Sequence, residues 1–277
     1  KVRESVREGM VALTAVSDMT TITNAPGVAK ANRELHSVGL GAMNLHGFLT
    51  KHRIAYESDE ARDFARTFFM MMNYYSLEAS MDIARDRGIV FEGFERSEYA
   101  NGNFFEKYLA HDYRPRTERV KALFAGMEVP SPADWALLKS EVQRHGLYHA
   151  YRLAIAPTQS ISYVQNATSS VMPVVSPIET RTYANATTYY PMPYLSKDNM
   201  FYYKSAYQMN QFKVLDLIAE IQEHVDQGIS TVLHVNSDIS TRQLARYYLY
   251  AARMGLKSLY YTRTNRLSIE DCVSCSV

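Results

Sequence analysis

The chain has 277 residues, with 30 Lys and Arg against 29 Asp and Glu, so its net charge is +1 and no net field draws it to nucleic acid or anionic lipid. Hydrophobic residues make up 47% and charged residues 21%, which excludes a disordered or low-complexity chain. No run of about 18 apolar residues occurs, so no membrane span is expected, and two cysteines cannot build a secreted disulfide scaffold.

Val2, Val6, Met10, Leu13 and Val16 recur at helical spacing, so a helix is already running at residue 2. No initiator Met and no signal peptide precede it, which reads as a fragment, one half of a split protein or a trimmed chain. A long helix is predicted from Tyr56 to Gly88. Ser58 is its N-cap, Asp59 and Glu60 suit the positive end of the helix dipole, and Gly88 stops it behind Arg85 and Arg87. Its stripe of Phe64, Phe68, Met72, Tyr75, Ala79 and Ile83 reads as core. Residues 89–130, with Gly93, Gly102, Pro115 and Pro130, read as surface loops and short helices.

Ser131-Pro132-Ala133-Asp134 is a second helix start, followed by Trp135, Leu138 and Val142 on one face and closed by Gly146. Val214, Ile218, Ile221 and Val225 predict a helix ending at Gly228. Ile229 to Val235 is a β-rich run, Ser240 caps a helix over 241–254, and Leu256 to Thr262 is a second β-rich run. Strand, helix, strand with short joints is a βαβ unit, so a parallel pair with a right-handed crossover is expected. The class is α/β. The absence of an internal repeat or a Gly/Ser linker favours one domain.

Three places offer chemistry. Both cysteines, Cys272 and Cys275, fall within the last six residues. A closed zinc site needs about four ligands, and His145 and His149 are separated by Gly146, so zinc is disfavoured. A thioredoxin-type pair sits at a helix start after a strand, which this pair does not. A dithiol on a chain end remains, able to exchange disulfides between two partners. Two idle thiols are the alternative, weakened by the lack of any other cysteine.

The second place is Ala156 to Ser162, where hydroxyls and backbone N–H groups at a turn suit a phosphate. It lacks a Gly-rich P-loop, and an ordinary capped turn is the alternative. The third is Tyr260-Tyr261, placed at the end of the last predicted strand. Alternation along a strand would send the two rings to opposite faces. Five Tyr-Tyr pairs occur, at 74, 189, 202, 247 and 260, so spacing alone singles out none. Asn166 and Asn185 begin Asn-x-Thr matches, which matter only in a secreted protein, and a free dithiol argues against that.

These signals line up with one family. Trp135-Ala-Leu-Leu138, Gly146-Leu-Tyr-His149, Leu153-Ala154 and Pro157, at their observed spacing, resemble the signature of the large (α) subunit of class I ribonucleotide reductases. The segments 37–47, 166–170, 226–228 and 259–261 resemble the same family in the same order, from Lys1 to Val277. The wording of PTQSIS, HVDQGIS and the short tail is most similar to the class Ib branch.

The resemblance implies the C-terminal part of a ten-stranded α/β barrel: 1–263 as a partial barrel domain and 264–277 as a flexible, redox-active tail. Pro157, Thr158, Gln159, Ser160 and Ile161 match the loop that binds the substrate diphosphate. Tyr260 matches the radical relay residue next to the thiyl cysteine, and Tyr261 the one toward the small (β) subunit. Cys272 and Cys275 match the dithiol that re-reduces the active site and is recharged by a thioredoxin- or glutaredoxin-like protein. The implied reaction is thiyl-radical reduction of ribonucleoside diphosphates in the cytoplasm. No metal or cofactor is expected on this chain; a metal-radical cofactor is expected in the small subunit.

The family's radical cysteine and reducible cysteine pair have no counterpart before Cys272, so an N-terminal part is expected to supply them. A rival is an inactive nucleotide-binding or regulatory half-barrel, against which the retained Tyr260-Tyr261 and Cys272-Cys275 argue. A stand-alone thiol oxidoreductase fails on the position of the dithiol.

Overall fold

A computed structural model of the chain describes residues 1–183 and 186–265. In chain order it holds α1 (Val2–Met19), α2 (Pro26–Leu35), α3 (Leu45–Lys51), α4 (Asp59–Arg87), α5 (Glu98–Asn101), α6 (Glu106–Ala110), α7 (Glu118–Leu123), α8 (Pro132–His145) and α9 (Gln159–Val164). There follow β1 (Ile178–Tyr183), β2 (Ala186–Pro191), α10 (Gln211–Gln222), β3 (Val232–Asn236), α11 (Thr241–Arg253) and β4 (Tyr261–Asn265).

Helix α4 is the pillar of the core. Ser58 Oγ accepts from Ala61 N at 3.1 Å, and Gly88 takes the left-handed φ of 65° that ends the helix at low steric cost. Phe64, Met72, Tyr75 and Ala79 are buried, with Phe68 and Ile83 half-buried at its edge. The helix also buries Asp63, Arg66, Asn73, Ser76 and Ser80, because α1, α8 and α10 pack around it. Helix α8 starts in a capping box: Ser131 Oγ accepts from Asp134 N, and the Asp134 carboxylate accepts from Ser131 N at 2.8 Å. In α1 the stripe holds at Val6 and Met10, but Val16 is exposed. Residues 89–130 form loops and short helices, as the sequence predicts.

A parallel ladder carries the site. Leu40 bridges Leu153, Ile155 bridges Ile229, and β3 pairs with β4 from Val232↔Tyr261 to Asn236↔Asn265. Leu40 N donates to Arg152 O and Ala154 N to Leu40 O; Ile155 N donates to Gly228 O and Ser230 N to Ile155 O; Tyr260 N donates to Thr231 O. Four extended segments therefore lie side by side in sequence order, which is the construction of a partial α/β barrel. Gly41 is required at the first seam, where an added Cβ would meet Ala154 O at 2.5 Å.

Three boundaries and one strand pair differ from the sequence expectation. Helix α10 stops at Gln222 instead of Gly228. Gln222 Nε2 donates to Val225 O and Gln227 O, and the Asp226 carboxylate accepts from Arg152 N and Leu153 N, so 223–228 is tied to the ladder rather than to a helix. Strand β3 begins at Val232, because Ile229 faces the neighbouring seam. Strand β4 begins at Tyr261, so the Tyr pair stands at its entrance and not at its end. The antiparallel pair of β1 and β2 has no counterpart among the sequence expectations. Its alternating Thr and Tyr are a strand signal, but it lies outside the main core.

Candidate functional site

The site is built on a buried polar hub. Arg152 is fully buried and donates from Nη1 to Tyr99 Oη at 3.0 Å, from Nε to Ser76 Oγ at 3.2 Å and from Nη2 to Asn73 Oδ1 at 3.0 Å. Its Nη2 lies 3.3 Å from the Asp226 carboxylate. Asn73 Nδ2 donates to Tyr108 Oη, which leaves the phenol O–H to donate to His224 Nδ1. Trp135 stacks on Tyr108 with ring centroids 3.8 Å apart and planes at 8°. The family-like spacing from Trp135 to Pro157 is thus a packing rule: it delivers one ladder segment, fixed through Arg152, to the turn that follows.

That turn holds the first candidates. Thr158 adopts a left-handed φ of 59°, and its Oγ1 accepts from Ser170 N at 2.8 Å. Ser162 Oγ meets Ser169 Oγ at 2.8 Å. Asn44 clamps the other side: Asn44 N donates to Thr168 O, and Thr168 N donates to Asn44 Oδ1. Segments 37–47, 157–162 and 166–170 are therefore one assembly. Thr168 of the Asn166 match is 1% exposed, whereas Asn166 itself is exposed.

Pro157, Gln159 and Ser160 open onto a cavity of ≈ 670 Å³, and so do Tyr260 and Tyr261. Val232, His234 and Arg263 line its ladder wall, as the two-residue period of β3 and β4 requires. Thr158 and Ile161 are not on the lining: Thr158 is spent on Ser170, and Ile161 is 64% exposed. The Tyr260 and Tyr261 rings lie 4.7 Å apart at 49°, both exposed and both on the cavity. The expected split to opposite faces fails because Tyr260 precedes the first strand residue. Cys272 and Cys275, with the rest of the tail after Asn265, lie outside the described residues.

Sequence reasoning missed the polar groups that support this cavity. His46 is fully buried; Val174 N donates to its Nδ1 at 3.0 Å, so Nε2 carries the proton and donates to Tyr202 O. Val174 lines the cavity. Burial pushes His46 down to about 4, and His234 also down to about 4 through burial and then the Arg263 cation. In His149 burial and then Arg152 do the same, to about 3. The only sequence signal was the histidines themselves on apolar stretches.

A folded-state value below the unfolded ~6.5 means the unfolded chain binds the extra proton first, so stability falls as pH drops from ~6.5 towards the folded value. His46 alone is expected to remove on the order of 2 kcal/mol by pH 5. Urea midpoints at pH 7 and pH 5 measure this. His46→Gln preserves one donor and one acceptor, and should shrink the pH-dependent loss. An unchanged loss would exclude His46 as a source.

Among the described residues, no group of three or more His, Cys, Asp or Glu could hold a metal ion. No helix among them is long and apolar enough to cross a membrane.

Comparison with known proteins bears directly on this arrangement. The family described as "Ribonucleotide reductase, barrel domain" matches residues 1–262. The chain is 54% identical over its whole length to the ribonucleoside-diphosphate reductase NrdEB subunit alpha of Bacillus subtilis (strain 168), covering 26% of that protein. It is 52% identical over its whole length to the ribonucleoside-diphosphate reductase subunit alpha of the same organism, covering 39% of it. Against the subunit alpha of Mycoplasma pneumoniae it is 40% identical over 97% of the chain and 38% of that protein. The chain thus spans between about a quarter and two fifths of these relatives. With its parallel ladder, its clamped turn and this match over nearly all its length, the chain belongs to the ribonucleotide reductase barrel-domain family.

Proposed function

We propose that this chain supplies the C-terminal portion of the large subunit of a ribonucleoside-diphosphate reductase of the class Ib type. Support comes above all from one observation: Tyr260 and Tyr261, their rings 4.7 Å apart, share a cavity with Pro157, Gln159 and Ser160. In this reading the turn at 157–161 receives the substrate diphosphate through hydroxyl and backbone N–H groups, with Thr158 and Ile161 shaping the turn from outside the cavity. Tyr261 takes the radical from the small subunit and Tyr260 passes it to a cysteine. Each transfer moves one electron and one proton, which requires close contact between the phenols.

Replacing the substrate hydroxyl by hydrogen releases water and consumes two electrons and two protons, supplied by a cysteine pair that closes to a disulfide. Neither that pair nor the radical cysteine lies before Cys272 in this chain, so another part of the subunit must bring them. The metal-radical cofactor belongs to the small subunit. Cys272 and Cys275 then reopen the disulfide by exchange and are recharged by a thioredoxin- or glutaredoxin-like protein. Free thiols in this role fit the reducing cytoplasm.

The test is turnover of ribonucleoside diphosphates by the chain with the missing part of its subunit and a small subunit. The complete set should form deoxyribonucleotide, and omission of the missing part should abolish it. With Cys272 and Cys275 both changed to Ser, one round of product per site should survive, multiple turnover with a protein reductant should collapse, and dithiothreitol should restore part of the rate. Full multiple turnover with the protein reductant would show the tail thiols idle. No turnover by the complete wild-type set would favour an inactive half-barrel.

A further inference from the structure

A second cleft, of ≈ 210 Å³, lies where the first two turns of α4 meet residues 116–117 and α10. Its walls carry Arg62, Arg66 and Arg116 against Asp59, Asp63 and Glu220. The formal charges balance, but the hydrogen bonds do not. Asp63, 6% exposed, is saturated: it accepts from Arg66 Nη2 at 2.7 Å, Arg116 N at 2.9 Å, Thr117 N at 2.8 Å and Thr117 Oγ1 at 3.0 Å. Glu220 accepts from Arg62 Nη2 at 2.6 Å, and Asp59 stands 87% exposed at the rim, 3.7 Å from Arg62.

The guanidinium side is left in surplus. Arg66 is 7% exposed, and its Nε has no hydrogen-bond partner; the buried Nε of Arg62 has none either. No carboxylate among the described residues stands within ion-pair distance of the Arg116 side chain. Burial and then the neighbouring Arg116 cation pull the Arg66 guanidinium below its ordinary value, against the opposite pull of Asp63 and Glu220. Three guanidinium groups line this small space, with Arg116 exposed at its edge, and a tetrahedral oxyanion offers them several acceptors and offsets their mutual repulsion.

We propose that this cleft binds a phosphate group, either free phosphate or the phosphate of a monoester, through Arg62, Arg66 and Arg116. Such a ligand would tie the start of α4 to the 112–117 loop and α10. The proposal stands apart from the reductase reading and survives its failure.

Isothermal titration at fixed ionic strength, on the chain within its complete subunit, tests it with inorganic phosphate and with AMP. Arg116→Met is the informative variant, because Asp63 is held by the Arg116 backbone N–H and not by its side chain. The expected result is a saturable phosphate event that Arg116→Met weakens tenfold or more and that Arg33→Met, on α2, leaves intact. Tighter binding of AMP than of phosphate at the Arg116-dependent event would identify a nucleotide as the source; equal binding would identify free phosphate. No saturable event beyond that of sodium chloride, or an equal response in Arg116→Met, overturns the proposal.

Discussion

Tyr261→Phe, and separately Tyr260→Phe, should reduce turnover of a complete reconstituted enzyme to background while leaving the fold in place. Phe keeps the ring and its contact across 4.7 Å but removes the oxidisable O–H. Both residues are exposed, so the stability cost should stay at or below the ~1 kcal/mol of an ordinary hydrogen bond. Tyr202→Phe and Tyr247→Phe provide the comparison. These belong to other Tyr-Tyr pairs and do not line the cavity, so most activity should remain. Product formation and the urea midpoint are measured on the same preparations. Equal activity losses at all four positions would show that the pair at the entrance of β4 has no special role.

Arg152→Met should have the largest effect on stability. Met fills much of the volume but strips donors from Tyr99, Ser76 and Asn73 and the cation from Asp226. Removing one partner of a buried ion pair costs about 3–5 kcal/mol, mostly because the other charge stays behind. That is a large share of the ~5–15 kcal/mol of a typical domain. Asp226 also accepts from two ladder N–H groups, so the turn after Ile155 should loosen as well. A urea midpoint showing less than ~1 kcal/mol of loss would mean that the guanidinium contributes little beyond its volume.

What the sequence made legible was local. Helices α4 and α8 announced both ends through caps at Ser58 and Ser131 and stops at Gly88 and Gly146. The pairing of β3 with β4 followed from short joints around α11. The end of α10 was not legible, because Asp226 answers to Arg152 and Leu153, more than 70 residues earlier. The start of β4 was hidden for a similar reason: register against β3 decides it, and an apolar run cannot. The sequence marks the turn at 157–161 and the Tyr pair as separate features. Only the ladder brings them to one cavity, and only there do Thr158 and Ile161 fall away from its lining.

The sequential ladder also has a consequence for how the chain reaches its native state. Its seams close very different lengths of chain: 29 residues from Val232 to Tyr261, 74 from Ile155 to Ile229 and 113 from Leu40 to Leu153. Closure entropy grows with the logarithm of length, so the longest seam costs about 1 kcal/mol more to close than the shortest. The β3–α11–β4 unit is therefore the cheapest nucleus, and the contact at Leu40 is the most expensive to gain. That most expensive seam is also the one that carries Asn44 to Thr168 at the back of the cavity.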